Sequence, residues 1–366
     1  MKFIINQSSL LEALHRISGP VGEKQNFPIL NCILVKAEKK DKIKLISTNL
    51  EITLITRLEG SIEEEGVTAI PFKRFISIVR ELPKQEIVIE IRKDNLFIKS
   101  EKIEFRINCM NPEEFPQIEE SIEESLIKLS TSDLLEMIKM TSFCVGREDL
   151  SYIFSGILFE ILEDKINLVA TDGKRLSFIQ RQLPSTQPLI TEKIKFILPI
   201  KSVYELQKII KEKKEDVFLF IKGNDIGFDI KDTILITKTI EGDFPDYSQY
   251  IPQPTQNVLI LRKDDFLSSL KRAQILSIPE YQGVRLNMQK TQMSILKSTP
   301  QLGELKEVIG VNYTGTPLEI SFNPNYLIDV LKNIEDENVK FEIYGADKPA
   351  VLRKEGFVYL VLPIKI

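Results

Sequence analysis

The chain has one histidine, three cysteines and no tryptophan among its 366 residues. With a single histidine, most general acid–base and metal-assisted mechanisms lack a group, because both need reactive side chains that converge. His15 lies in an amphipathic stretch next to Arg16, has no orienting partner in its local sequence, and reads as a surface or structural residue. Cys32, Cys109 and Cys144 lie far apart without a C-x-x-C pair, which argues against a structural zinc site or a disulfide framework. They read as small hydrophobes in a reducing compartment. No window approaches the run of about 18 uncharged apolar residues that a membrane span needs, and the opening MKFIINQSSLLEAL has no signal-peptide cleavage pattern. A cytoplasmic protein with no membrane partner is expected. Also absent are G-x-x-x-x-G-K-S/T, G-x-G-x-x-G after a strand, H-E-x-x-H and G-x-S-x-G, the local signatures of nucleotide, dinucleotide, zinc-hydrolase and serine-hydrolase chemistry. No metal, cofactor or catalytic residue is therefore expected.

Net charge is only −4, so composition neither favours nor excludes nucleic acid; what matters is where the 49 basic residues lie. The length exceeds what a single hydrophobic core serves, and two or three domains are expected. A repeat supplies them. SSLLEALHRISGPVG, SDLLEMIKMTSFCVG and DDFLSSLKRAQILS share a helical stripe marked by Leu11, Leu135 and Leu267, a period on the order of 120–130 residues. Ser and Asp at their starts read as helix caps. Each stretch is followed by two alternating runs around a polar turn. A second helix follows, as PFKRFISIVRELP, PIKSVYELQKIIKEK and NPNYLIDVLKNIEDE, with Pro71, Pro199 and Pro324 at its start, where a missing N–H costs nothing. Further strands close each copy. The chain is therefore read as α+β with three repeated units, bounded at 1–124, 125–254 and 255–366. NPEEFPQIEESIEE and GDFPDYSQYIPQPTQN mark the joints, the latter with turn formers on both sides of Phe244 and Tyr247. The edge of one such sheet can continue into the next unit and finally into another copy of the chain, which would close a ring.

VATDGKRLSFIQ, residues 169–180, raises the sharpest question. Asp172, Gly173 and Lys174 together could handle phosphate, but a phosphate loop should open a helix. Here the alternation of Leu176, Phe178 and Gln180 with Ser177 and Ile179 continues as a strand, so Asp-Gly reads as a turn. The matching place in the first repeat is STNLEITLITR, with Asn49 for the aspartate and no Gly-Lys. The residues alone leave three readings open: a phosphate-handling enzyme using Asp172 and Lys174, a plain turn, and a binding surface peculiar to the middle unit.

Taken in order, MKF, GPVGEKQNFPILNCILV, VATDGKRL, EGDFPDYSQYIP, SFNPNYLIDVL and YLVLPIKI resemble the bacterial DNA polymerase III beta subunit family, the replicative sliding clamps, over the whole chain. The resemblance implies a non-catalytic processivity factor. Three clamp domains per chain would form a ring-shaped, head-to-tail homodimer, with helices lining a central hole and antiparallel sheets outside. The implied partners are duplex DNA, encircled without sequence preference, a second copy of the chain, a clamp loader complex, and the DNA polymerase III alpha subunit with other proteins carrying a clamp-binding peptide. A pocket between domains 2 and 3 would receive those peptides, lined by Phe154, Thr171, Gly173, Lys174, Arg175, Leu176, Pro245, Tyr250, Asn323, Tyr326, Leu360, Leu362, Pro363 and Ile364. In this reading Arg175 stands at the rim and Leu176 on the floor. Lys24, Lys73, Arg80, Tyr152 and Lys201 would face DNA, while Ile153 stands where relatives carry a second aromatic. Phe105 and Ile107 of one chain would meet Ile275 and Leu276 of the other. Leu362 and Lys365 depart from the family's usual methionine and arginine; leucine is less adaptable, and lysine offers no bidentate fork to a carboxylate.

Overall fold

The computed structural model describes residues 1–22, 27–38, 43–118, 127–146, 152–184, 193–210, 215–222 and 224–365. Six helices lie among them: α1 (Gln7–Arg16), α2 (Phe72–Glu81), α3 (Thr131–Thr141), α4 (Ile200–Ile209), α5 (Lys263–Gln274) and α6 (Pro324–Asn333). The repeat produces them in pairs, and every strand pair is antiparallel. Together these features bear out the α+β reading.

The helices follow their apolar stripes. In α2, Phe72, Phe75, Ile76 and Val79 are buried at positions 1, 4, 5 and 8, while Lys73, Arg74 and Arg80 remain in solvent. Arg80 sits in the last turn, where the helix dipole favours a cation. Capping differs from expectation at α1 and α5. Strands run straight into both helices, so the cap position falls on the last strand residue. For α1 that is Asn6, whose side chain accepts from Ser8 N; for α5 it is Arg262, which makes no capping bond. Asp264 and Asp265 instead occupy the first turn of α5.

The chain forms two compact units, and the second repeat is divided between them. The first unit holds residues 1–132, 184–188 and 201–239; the second holds 133–183, 189–200 and 240–366. Within the first unit, an eight-stranded sheet runs Ile127–Ser130, Asp216–Lys222, Asp225–Ile230, Thr233–Lys238, Ile52–Leu58, Ile43–Thr48, Cys32–Ala37, Gly66–Pro71. The repeats meet at its centre, where Ile55 faces Ile234 and Leu54 faces Leu235. A core of Leu34, Ile46, Ile55, Phe115, Phe220 and Ile234 draws on both repeats. Thr56 and Thr233 share a buried hydroxyl hydrogen bond of 2.9 Å across the same seam. This unit also carries a five-stranded sheet, Ser61–Glu64, Lys2–Asn6, Glu86–Arg92, Asn95–Ser100, Ile103–Asn108; α1 and α2 pack against each other, α1 reaching strands Lys2–Asn6 and Ile52–Leu58 and α2 reaching Gly66–Pro71.

The second unit repeats the plan. Its nine-stranded sheet joins Ile194–Pro199, Gly156–Ile161, Lys165–Thr171 and Arg175–Gln182 to Phe357–Val361, Ala350–Lys354, Asn338–Ile343, Val258–Arg262 and Asn312–Tyr313. Leu176 faces Leu360 and Phe178 faces Val358 at that seam. A four-stranded sheet, Gly303–Gly310, Gln292–Thr299, Val284–Met288, Leu318–Phe322, completes it. Two long sheets thus bridge successive repeats, while the two shorter sheets each lie within one repeat, with Ile103–Asn108 and Gly303–Gly310 as outer strands that have no second neighbour among the described residues.

Candidate functional site

Residues 171–176 form a tight turn in which three successive backbone N–H groups are held by its own side chains. Asp172 Oδ1 accepts from Lys174 N at 2.9 Å and Arg175 N at 3.0 Å. Thr171 Oγ1 accepts from Gly173 N at 3.0 Å and donates to Arg175 O at 2.6 Å. Gly173 has φ +81°, a conformation that costs a side-chain-bearing residue about 1–2 kcal/mol. The second carboxylate oxygen of Asp172 accepts from Arg175 Nε at 3.0 Å, so the aspartate is fully engaged in structure and is not free for phosphate or metal chemistry. The phosphate-handling reading loses its carboxylate here.

Arg175 is not at a rim: it is 9% exposed. Its Nη1 donates to Asp329 Oδ2 of α6 at 2.7 Å, and its guanidinium lies 4.5 Å from the centre of the Tyr326 ring and 5.9 Å from that of Phe143. Burial works against this charge, yet the hydrogen bond to Asp329 and the carboxylate of Asp172 hold the guanidinium above its ordinary pKa. Burial also pushes the Cys144 thiol and the Tyr359 phenol well up, so both stay neutral. A fixed, fully paired cation makes this end of the strand rigid.

Beside the turn lies a cavity of about 470 Å³. Phe154, Thr171, Gly173, Lys174, Arg175, Leu176, Pro245, Tyr250, Leu360 and Leu362 line it, ten of the expected residues brought together. Leu362 N donates to Lys174 O at 2.9 Å, tying the C-terminal segment to the turn. Four expected residues stand outside the wall. Asn323 is buried as the N-cap of α6 and donates to Gln282 Oε1. Tyr326 is one step behind, under Arg175. Pro363 is not part of the wall, and Ile364, whose N–H donates to Ser321 O at 2.7 Å, lines a separate hollow with Lys365.

Phe244, Tyr247, Gln249 and Pro349 complete the wall and were not expected there. Phe244 packs edge-on against Phe154 at 5.8 Å, and Tyr247 lies 5.7 Å from Phe178. The Tyr247 hydroxyl donates to Glu160 Oε2 at 2.7 Å, and Asn167 donates to the same oxygen at 2.9 Å. Lys193 and Lys195 reach the other oxygen at 2.7 and 3.3 Å. Burial would raise the Glu160 pKa, but these partners, Lys193 first, bring it down to about 2. Asp246 caps the short helix Tyr247–Tyr250 by accepting from Ser248 and Gln249. The turn formers around Phe244 and Tyr247 were the one sequence signal for this wall. The result is a pre-formed aromatic and aliphatic hollow with charged Lys174 at its mouth, the character of a site for an apolar peptide side chain.

Of the residues expected to face DNA, Lys73 and Arg80 are exposed on α2, and Lys201 is exposed on α4 beside Gly19, Pro20, Ile52 and Tyr204, all within the first unit. Tyr152 is exposed in the short helix Tyr152–Phe154 of the second. Lys24 lies outside the described residues. Phe105 and Ile107 sit on the bare edge strand of the five-stranded sheet, and Ile275, 77% exposed, ends α5 beside half-buried Leu276. His15 is exposed near the end of α1. Among the described residues no helix is long and apolar enough to cross a membrane, and no cluster of His, Cys, Asp or Glu could hold a metal ion.

Family models described as the DNA polymerase III beta subunit match the chain in three consecutive parts. The N-terminal domain matches residues 1–119, the central domain 128–246 and the C-terminal domain 248–365. The beta sliding clamp of Vibrio cholerae is 31% identical over 372 residues, covering all of both chains, and that of Escherichia coli K12 is 29% identical over 371 residues with the same coverage. Among solved structures, the DNA polymerase sliding clamp of Bacillus subtilis superposes with a TM-score of 0.94 at 26% identity, covering 100% of this chain and 99% of that one. A DNA polymerase III beta subunit from Eubacterium rectale gives 0.93 at 29% identity over the whole of both chains.

Proposed function

Since this chain belongs to the DNA polymerase III beta subunit family, the beta sliding clamps, we propose that it closes into a head-to-tail dimeric ring around duplex DNA and holds client proteins there through the hollow at Arg175. It is a sliding clamp for the replicative polymerase and not an enzyme. The observation that carries the ring is the sheet count. Two sheets of eight and nine strands bridge successive repeats, and what remains at the ends is a five-stranded sheet with a bare edge at Ile103–Asn108 and a four-stranded one with a bare edge at Gly303–Gly310. Joining these edges between two copies makes a third sheet of nine strands and removes both exposed ladders. Apolar Phe105, Ile107, Ile275 and Leu276 would flank the junction, and two such seams close the ring.

The clamp domains are taken as 1–124, 125–254 and 255–366, a division supported by family matches that change over at 119/128 and 246/248. Lys24, Lys73, Arg80, Tyr152 and Lys201 would supply weak, sequence-blind contacts to the encircled duplex. Weakness suits a slider, because each neutralised phosphate adds affinity through counterion release and would pin the protein. A loader complex would open one seam, the alpha subunit of the polymerase and other clients would dock a short peptide in the hollow, and all of this would take place in the cytoplasm.

The test is topological. The protein is loaded with its loader and ATP onto nicked circular DNA, washed in high salt, and the circle is then cut once. Retention on the circle followed by loss from the linear form is expected. Equal behaviour on both forms would overturn the ring and leave a peptide-binding scaffold in its place.

A further inference from the structure

Strand Gln292–Thr299 turns Met293, Ile295, Lys297 and Thr299 inward. One of these is a charge: Lys297 is 3% exposed. Its Nζ donates to Tyr281 O at 2.6 Å and Gly283 O at 2.9 Å. Among the described residues no carboxylate pairs with it, and burial pushes its pKa below the ordinary lysine value. An ammonium in such a place is costly, and an apolar chain of the same length would fill the space at less cost. Two carbonyls of one segment offset part of that cost, so the segment is what the charge holds.

The neighbouring inward residue acts on the same segment, since Thr299 Oγ1 donates to Leu276 O. Ile278 and Tyr281 exchange backbone hydrogen bonds of 3.4 and 3.0 Å within it. The carbonyls of Leu276, Tyr281 and Gly283 are thus all fixed from strand Gln292–Thr299. That strand is also the partner of the bare edge strand Gly303–Gly310, and Glu307 on the edge strand holds the end of α5 by accepting from Ser269 Oγ at 2.8 Å and Arg272 Nε at 3.0 Å. The exposed Ile275 and the free ladder beside it are therefore positioned by one set of polar bonds.

We propose that Lys297 is a positioning residue for the subunit seam, its ammonium fixing the segment 276–283 so that Ile275 and Leu276 are presented at a set angle beside edge strand Gly303–Gly310. This rests on the seam reading given above. Lys297 touches no partner; it acts through the carbonyls it holds.

The test compares full-length Lys297→Met, Thr299→Val and Ile275→Asp with the unaltered chain by sedimentation and by subunit exchange between labelled copies. Loss of one charge-assisted anchor should raise the dissociation constant of the Lys297→Met dimer about tenfold. Thermal stability measured at dilutions where the chain is monomeric should stay level or rise, because a buried charge has gone. A purely structural role would lower both together, and that result overturns the proposal. Amides of 276–283 should exchange faster in the variant. A Lys297→Met dimer of normal strength, alongside a broken Ile275→Asp dimer, overturns the role of Lys297 and leaves the seam. An unimpaired Ile275→Asp dimer overturns the seam and the proposal with it. Thr299→Val decides the matter alone if Lys297→Met does not fold: a loosened dimer supports the proposal and an unchanged one overturns it.

Discussion

The turn at 171–175 has a near twin at 48–52 in the other unit. Leu50 N donates to Thr48 Oγ1 as Gly173 N does to Thr171 Oγ1. Glu51 N and Ile52 N donate to Asn49 Oδ1 as Lys174 N and Arg175 N do to Asp172 Oδ1. Even the left-handed residue coincides, with φ +75° at Leu50 and +81° at Gly173. The backbone device is the same, and only its contents differ. Where the second unit has Arg175 locked between Asp172 and Asp329, the first has Ile52. A repeated turn thus becomes one wall of the hollow through one strand residue and the carboxylates that hold it.

The most damaging way to break the comparison is Arg175→Ile, which gives the second turn the content of the first. Asp329 and Asp172 would lose their cation, and a broken buried pair costs about 3 kcal/mol. Urea denaturation should show that loss, and fluorescence anisotropy with a client peptide should show binding abolished or nearly so.

Glu160 tests the opposite wall, which has no twin in this comparison. Its folded pKa of about 2 lies below the ordinary glutamate value of 4.5, so its stabilisation is complete above pH 4.5 and is lost as pH falls through 4.5 towards 2. Stability should drop by about 2–3 kcal/mol over that window in denaturant titrations, and Glu160→Gln should be weaker at neutral pH but lose less on acidification.

The smallest effects come from exchanging the left-handed residues. No atom lies within 4 Å of a Cβ placed on Gly173, so Gly173→Ala meets only the backbone penalty, about 1 kcal/mol. Leu50→Gly should relieve the same strain and give part of it back in unfolded-chain entropy, a net change within about 1 kcal/mol by thermal denaturation.

Local pattern was legible wherever it is set by a residue's own neighbours. The helical stripes, the paired strands and the Asp-Gly turn could be read because period and turn chemistry act over a few residues. Arg175 was misplaced because a charge beside a turn reads as exposed, whereas its partner Asp329 lies 154 residues away. The Tyr247 wall was only hinted at for the same reason: its anchor, Glu160, is 87 residues distant. That a sheet can run on from one unit into the next was legible, but not that the seams fall at Ile55–Ile234 and Leu176–Leu360, since a strand's alternation states which face is buried and not which strand lies alongside.

Sheets that straddle the repeats also bear on how such a chain can change in length over generations. Duplicating or deleting one whole period of the gene would add or remove one bridging sheet and leave the two terminal half-sheets as they were. The number of repeats in a chain is therefore uncoupled from the chemistry of its ends, and ancestral chains of different repeat number could share the same pair of edges.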